Sequence, residues 1–158
     1  MTKHELSVVF NRLAMSHKVT RKVLQAIPED KLDFRATPEM RTVRELVLHM
    51  YGSPVGMVEA IPRGELTMAD YQAGEDIKHA PDKETMIAYC DACMAQVLKI
   101  GEEISEEKLN SIIKCFYGDF PIYEHLGFIY DEHWHHRGQL YVYLRLMGVQ
   151  PPFLYDFE

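Results

Sequence analysis

Three histidines within four positions are the residues of this sequence best suited to do chemistry. His133, His135 and His136 lie in the segment Asp131–Gln139, and a further histidine, His49, lies far upstream. Imidazole is the commonest metal ligand among protein side chains and titrates near neutral pH. The cluster, paired with one distant histidine, indicates a metal site to which two separate helices contribute.

The spacing of the cluster limits which side chains can share one ion. Residues three or four apart lie on one face of a helix, so His136 has Glu132 and His133 as neighbours, while His49 supplies the other side. Glu132 lies about 40° from His136 around the helix and His133 about 60°, which favours Glu132 and leaves His133 as the reserve ligand. Two imidazoles and a carboxylate, or three imidazoles, suit Zn, Ni or Fe(II), and three protein ligands leave positions open for water, as in catalytic sites.

Helical periodicity predicts the elements that position these residues. Apolar residues recur at helical spacing from Glu5 to about Ala26, and Thr42–Glu45 has the form of a capping box that starts a second helix through His49. The Gly52–Pro54 stretch is expected to bend or stop that helix, which can resume to about Ala60. A third helix is predicted from Pro81–Asp82 to near Gly101.

The fourth predicted helix carries the histidine cluster. Pro121 suits its first position, and Gly148 is placed just beyond its end at Met147. No segment has a persuasive strand pattern. The predicted fold is therefore all-α, an up-and-down four-helix bundle with long connections that forms a single domain over residues 1–158.

Composition excludes several classes of function. A net charge of -7 argues against a nucleic-acid partner, because affinity for phosphate backbones rests on Lys and Arg. No apolar stretch approaches the ~20 residues needed to cross a bilayer, and no signal peptide is recognisable. Three cysteines are too few, and odd in number, for a disulfide framework. These features predict a cytoplasmic protein without a membrane partner.

The same residues resemble the DinB/YfiT-like metalloenzyme superfamily. The resemblance is carried by His49, by His136–Leu140, by Tyr143–Arg145 and by Gly148 ahead of Pro151–Pro152. It implies a four-helix bundle, often dimeric, that holds divalent Zn or Ni through one histidine on the second helix and an H-x-x-x-H pair on the fourth.

Carried over by position, the implied ligands are His49, residue 132 and His136. The sequence departs from the pattern at residue 132, which is Glu132, while an imidazole follows at His133. The third ligand is therefore Glu132, in a site of two histidines and one carboxylate, or His133 on a slightly rotated helix.

The resemblance also implies an activity. Some relatives look like S-transferases or isomerases that depend on a low-molecular-weight thiol such as bacillithiol, mycothiol or glutathione. We therefore expect a homodimeric, metal-dependent enzyme that acts on a small molecule, either a thiol S-transferase or a metal-assisted hydrolase.

Two neighbours of the cluster have candidate roles in this enzyme. Arg137 is a candidate to bind an anionic substrate or the carboxylate of a thiol cofactor, or to form a structural ion pair, and Gln139 to orient a ligand or cap a connection. The alternative to the enzyme is a non-catalytic, dimeric stress or binding protein whose metal site is degenerate.

Overall fold

Four long helices account for most of the chain in the computed structural model, which describes residues 1–158. In chain order the α-helices are α1 (Lys3–Ala26), α2 (Val43–Glu59), α3 (Met68–Gln72), α4 (Lys83–Glu103), α5 (Glu106–Leu109) and α6 (Ile122–Leu146). Single turns of 3-10 helix lie at Glu29–Lys31, Ala73–Glu75 and Ile77–His79. The predicted helical character is confirmed, and α1, α2, α4 and α6 are the four helices that periodicity indicated.

Capping side chains mark the starts of α1, α2 and α4. Thr42 accepts a hydrogen bond from the amide of Glu45, and the Glu45 side chain accepts one from the amide of Thr42, as a capping box requires. Helix α2 continues through Pro54 to Glu59, although proline removes one hydrogen bond of the helix. Gly148 follows α6 with a φ of 76°, a left-handed conformation that glycine adopts without strain.

A small sheet departs from the predicted all-α fold. Strands β2 (Ile112–Cys115) and β3 (Gly118–Pro121) form an antiparallel hairpin, and β1 (Glu65–Leu66) pairs with β2 in parallel. The prediction of a bundle without strands is therefore wrong in this respect. The strands are two to four residues long, which is too short for the alternation of polar and apolar residues that marks a strand in sequence.

One core cluster of 33 buried hydrophobic residues joins the long helices to the hairpin. Helix α2 packs against α4 and α6, and α1 packs against the same two helices. Leu66 and Ile113 carry the sheet into this core. None of the helices combines the length and the hydropathy that a bilayer-spanning segment requires.

A close backbone approach fixes one connection beside α2. A Cβ atom added at Gly52 would lie 2.5 Å from the carbonyl oxygen of Gly74, so only glycine allows this contact. The Tyr89 hydroxyl donates a 2.7 Å hydrogen bond to the same carbonyl. The turn Ala73–Glu75 is therefore held against the middle of α2, one helical turn from His49.

Candidate metal centre

His49, Glu132 and His136 converge between α2 and α6. One possible ligand atom from each residue lies within 4.8 Å of the other two. The Oε2 atom of Glu132 lies 2.9 Å from His136 Nε2 and 4.0 Å from His49 Nε2. His49 is 83 positions before Glu132 and 87 before His136 in the chain, yet all three side chains share one small volume.

Hydrogen bonds on the far side of each ring orient the two histidines. His49 Nδ1 lies 2.8 Å from Glu75 Oε1, and His136 Nδ1 lies 2.9 Å from Gln139 Oε1. Both partners are oxygen acceptors, so this pattern assigns a proton to each Nδ1 and leaves each Nε2 available to an ion. Metal-ligating histidines are typically held in this way by a carboxylate or carbonyl.

Burial and charge favour the metal-binding protonation states of two of these groups. Burial lowers the pKa of His49, and Arg41 and His136 act in the same direction, against the effect of Glu75. The hydrogen bond with His136 lowers the pKa of Glu132. Neutral imidazole and ionised carboxylate are the forms that bind metal ions.

The donor set fits a transition-metal ion after a small movement of the side chains. Zinc binds histidine nitrogen and carboxylate oxygen at about 2.0–2.2 Å, so tetrahedral ligands lie about 3.3 Å from one another. The three ligand atoms lie within 4.8 Å of one another. Moving them about 1 to 1.5 Å closer together would bring them to the spacing that a zinc ion requires. His136 Nε2 and Glu132 Oε2 lie 2.9 Å apart, so a proton must lie between them when no cation is bound. A bound cation would take the place of that proton.

A cavity with a volume of about 570 Å³ opens beside the group. Glu132 belongs both to the ligand group and to the cavity wall, and Arg41 is the only cation that lines the cavity. The wall is mostly apolar and includes five aromatic side chains: Tyr71, Phe116, Tyr117, Phe120 and Phe128. A molecule of metabolite size in this cavity would contact an ion held by the three residues.

His133 lies outside this group. Its Nε2 atom is 3.0 Å from the hydroxyl of Thr20 on α1, which itself donates to the carbonyl of Ser16. Burial lowers the pKa of His133 to about 3, with smaller contributions from His17 and Arg137. The reserve ligand therefore points into the core between α1 and α6 and stays neutral there.

Arg137 also lies away from the ligand group. The side chain is only 1 % exposed, its guanidinium lies 3.8 Å from the ring centroid of Trp134, and it does not line the large cavity. Arg41, and not Arg137, is the arginine that lines the large cavity and could bind an anionic substrate there.

Sequence reasoning missed two residues of the site and anticipated a third. Gln139 was a candidate to orient a ligand, and it contacts His136. Glu75 lies in a segment predicted to be a loop, where no local pattern marks it as a partner of His49. Arg41 immediately precedes Thr42, the N-cap of the helix that carries His49. This place at the start of α2 was the only indication in the sequence that Arg41 lies near the site.

Comparison with known proteins identifies the family. The sequence profile of the DinB family matches residues 1–158, so the chain belongs to the DinB family, as the resemblance predicted. No protein with a curated function matches the sequence significantly.

Solved structures share the fold at low sequence identity. A DinB-like protein from Bacillus subtilis superposes with a TM-score of 0.74 at 22% identity, covering 92% of this chain and 96% of that one. A DinB-like protein from Bacillus cereus gives a TM-score of 0.69 at 18% identity, with coverages of 90% and 93%. A mycothiol-dependent maleylpyruvate isomerase gives 0.70 at 16% identity, covering 89% of this chain and 63% of the longer isomerase chain.

Proposed function

We propose that this protein is a metal-dependent enzyme that uses zinc or nickel and acts on a small molecule in the large cavity. His49, Glu132 and His136 are the proposed ligands. The observation that carries this proposal is the convergence of three donor atoms from two helices, with the Nδ1 atom of each histidine already held by an oxygen acceptor. This is the arrangement that orients imidazoles for a metal ion.

The chain's own residues would position and shield the reacting groups. Glu75 and Gln139 hold the histidine rings, and the aromatic wall of the cavity excludes water from the bound molecule. Arg41 offers a guanidinium to a carboxylate on the substrate or on a cofactor. A divalent ion held here would supply Lewis acidity and lower the pKa of a bound thiol or water.

Thiol transfer is the reaction we favour within this class. The largely apolar wall suits an organic thiol better than water as the nucleophile, and Arg41 can bind the carboxylate of a thiol that carries one, such as bacillithiol or glutathione. The mycothiol-dependent isomerase that shares the fold supports the same chemistry. Metal-assisted hydrolysis is the second reaction that the same ligand set could perform.

Calorimetric titration of Zn²⁺ and Ni²⁺ into tag-free, chelator-treated protein tests the proposal. We expect one ion per chain, and a loss of affinity in His49→Ala and in His136→Ala that exceeds the roughly 10- to 100-fold cost of losing a supporting partner. His4→Ala is the matched control, since His4 is exposed and outside the site. Folded wild-type protein that binds no ion would favour the non-catalytic binding protein instead.

A further inference from the structure

Arg137 is a buried cation for which the chain provides no acceptor. The side chain is 1 % exposed, and neither Nη1 nor Nη2 has a hydrogen-bond partner. Its guanidinium stacks on Trp134, which offers a π face but no oxygen. Buried charges in proteins are normally paired and hydrogen-bonded, because an unpaired one is costly.

Other unpartnered polar atoms occur on the same elements. Trp134 Nε1 and Tyr141 Oη on α6, and Ser16 Oγ on α1, are buried without a hydrogen-bond partner. Trp134, Arg137 and Tyr141 are spaced by three and four residues, which places them on one face of α6. Each of these groups can donate a hydrogen bond, and the indole and guanidinium can only donate. No acceptor of the chain lies within hydrogen-bond distance of these donors.

A small cavity, with a volume of about 210 Å³, adjoins this face at Trp134. It shares no lining residue with the cavity at the metal centre. Helix α1, helix α6 and the C-terminal segment (residues 149–158) all contribute to its wall, through Arg12, Ser16, Tyr130, Trp134, Tyr155 and Phe157.

No carboxylate of the chain forms an ion pair with Arg137. Asp156 in the C-terminal segment pairs instead with Lys22 on α1 at 2.6 Å. The charged form of Arg137 is therefore supported by aromatic neighbours alone. An acceptor from outside the chain would complete the site.

We propose that this face binds a small oxyanion, a carboxylate or a phosphate, through the two Nη atoms of Arg137. A planar guanidinium donates two parallel hydrogen bonds to two oxygens of such a group. The indole N–H of Trp134 and the hydroxyl of Ser16 add donors, and exposed Arg12 adds positive charge at the cavity. Arg137 itself is buried behind the cavity wall, so side chains that line the cavity must shift for the anion to reach the two Nη atoms.

The single tryptophan of the chain makes this site directly observable. Fluorescence of Trp134 is followed while inorganic phosphate or acetate is added at constant ionic strength, with chloride as the reference anion. We expect a saturable change with phosphate or acetate, and at least tenfold weaker binding in Arg137→Gln. Arg145→Gln is the matched control, since Arg145 is an exposed arginine on the same helix.

A second variant separates binding from a structural role. Arg137→Met removes the unpaired charge and keeps most of the apolar bulk, so its melting temperature without added anion should equal or exceed that of the wild type. Phosphate or acetate should raise the melting temperature of the wild type and leave that of Arg137→Met unchanged.

Two results would overturn the proposal. One is a wild-type response that is linear or equal to that with chloride. The other is an Arg137→Met protein that melts lower yet responds to anions as the wild type does. Both measurements are made without added metal, so they test anion binding at Arg137 independently of the proposed metal-dependent activity.

Discussion

Two successive residues of α6 contact different helices. Glu132 faces His49 on α2, whereas His133 contacts Thr20 on α1. Successive residues of a helix are turned about 100° from each other, so a helix that presents Glu132 to the group cannot also present His133. The sequence argument favoured Glu132 on related grounds, since Glu132 lies about 40° from His136 around the helix and His133 about 60°.

Comparison of Glu132→Ala with His133→Ala tests which residue is the third ligand. We expect Glu132→Ala to weaken zinc binding by more than about 100-fold, beyond the usual cost of losing a supporting partner. His133→Ala should leave zinc affinity unchanged and lower the free energy of unfolding by about 1–3 kcal/mol, because it removes the buried partner of Thr20. Zinc calorimetry and urea denaturation of both variants provide the two quantities, and the reverse assignment of effects would make His133 the ligand.

The sequence singled out the three residues that converge between α2 and α6, but not Glu75, which contacts His49. Helical angles relate Glu132 to His136 directly, since both lie on one element. Glu75 reaches His49 only because Gly74 packs against Gly52. That contact is made by backbone atoms of two segments that are 22 residues apart, and no periodicity in the sequence indicates it.

At the scale of elements, the long helices could be predicted and the sheet could not. Apolar periodicity and capping residues lie within each helix, and they set the limits of α1, α2, α4 and α6 to within a few residues. Strand β1 instead depends on pairing with β2, with Glu65 opposite Lys114. Pairing between such distant and short segments is decided by tertiary packing.

Glycine substitutions test how the turn Ala73–Glu75 is held against α2. Gly52→Ala brings a Cβ to 2.5 Å from the carbonyl oxygen of Gly74, so we expect a loss of about 1–3 kcal/mol in unfolding free energy and weaker zinc binding as Glu75 is displaced. Gly127→Ala is the matched control, because its Cβ on α6 meets no atom within 4 Å. That change should stabilise the protein by about 0.5–1 kcal/mol.

Urea denaturation and zinc titration of both variants check this prediction. If Gly52→Ala retained wild-type stability and zinc affinity, the close approach would have no role in positioning Glu75.

The whole molecule buries neutral histidines away from the proposed ligands. His125 is fully buried, and its Nε2 donates to the carbonyl of Met57 on α2 while its Nδ1 faces the Tyr117 hydroxyl and the Cys115 thiol of the hairpin. No carboxylate contacts the ring, and burial lowers the pKa of His125. Burial also lowers the pKa of His17, against the opposing effect of Asp91.

These two histidines predict acid-sensitive stability. Below about pH 6.5 the unfolded imidazole binds a proton that the folded one, with its lowered pKa, does not. The contribution of these neutral histidines to the free energy of unfolding is therefore complete above about pH 6.5. It is lost as the pH falls below about 6.5, by up to about 1.4 kcal/mol per pH unit for each histidine.

Urea denaturation between pH 8 and pH 5 measures this loss. His125→Leu should lower the overall stability but flatten its dependence on pH, and an unchanged slope would show that His125 is not buried in its neutral form.

Two separate cavities lie at the two sites proposed for this protein. The larger one lies at the proposed metal ligands and is closed by the hairpin, and the smaller lies between α1, α6 and the C-terminal segment. Neither could be predicted from the sequence, because part of each wall comes from segments outside the predicted helices, the hairpin in one case and the C-terminal segment in the other. Of the residues that line them, the sequence identified Glu132 as a candidate ligand but not the cavity beside it.

Anomalous diffraction at the zinc and nickel edges, from crystals of tag-free protein grown with each metal, tests the central claim most directly. The account predicts one strong peak per chain, about 2.0–2.2 Å from His49 Nε2, from His136 Nε2 and from a carboxylate oxygen of Glu132. A peak held by other side chains, or no peak between α2 and α6 at saturating metal, would contradict it.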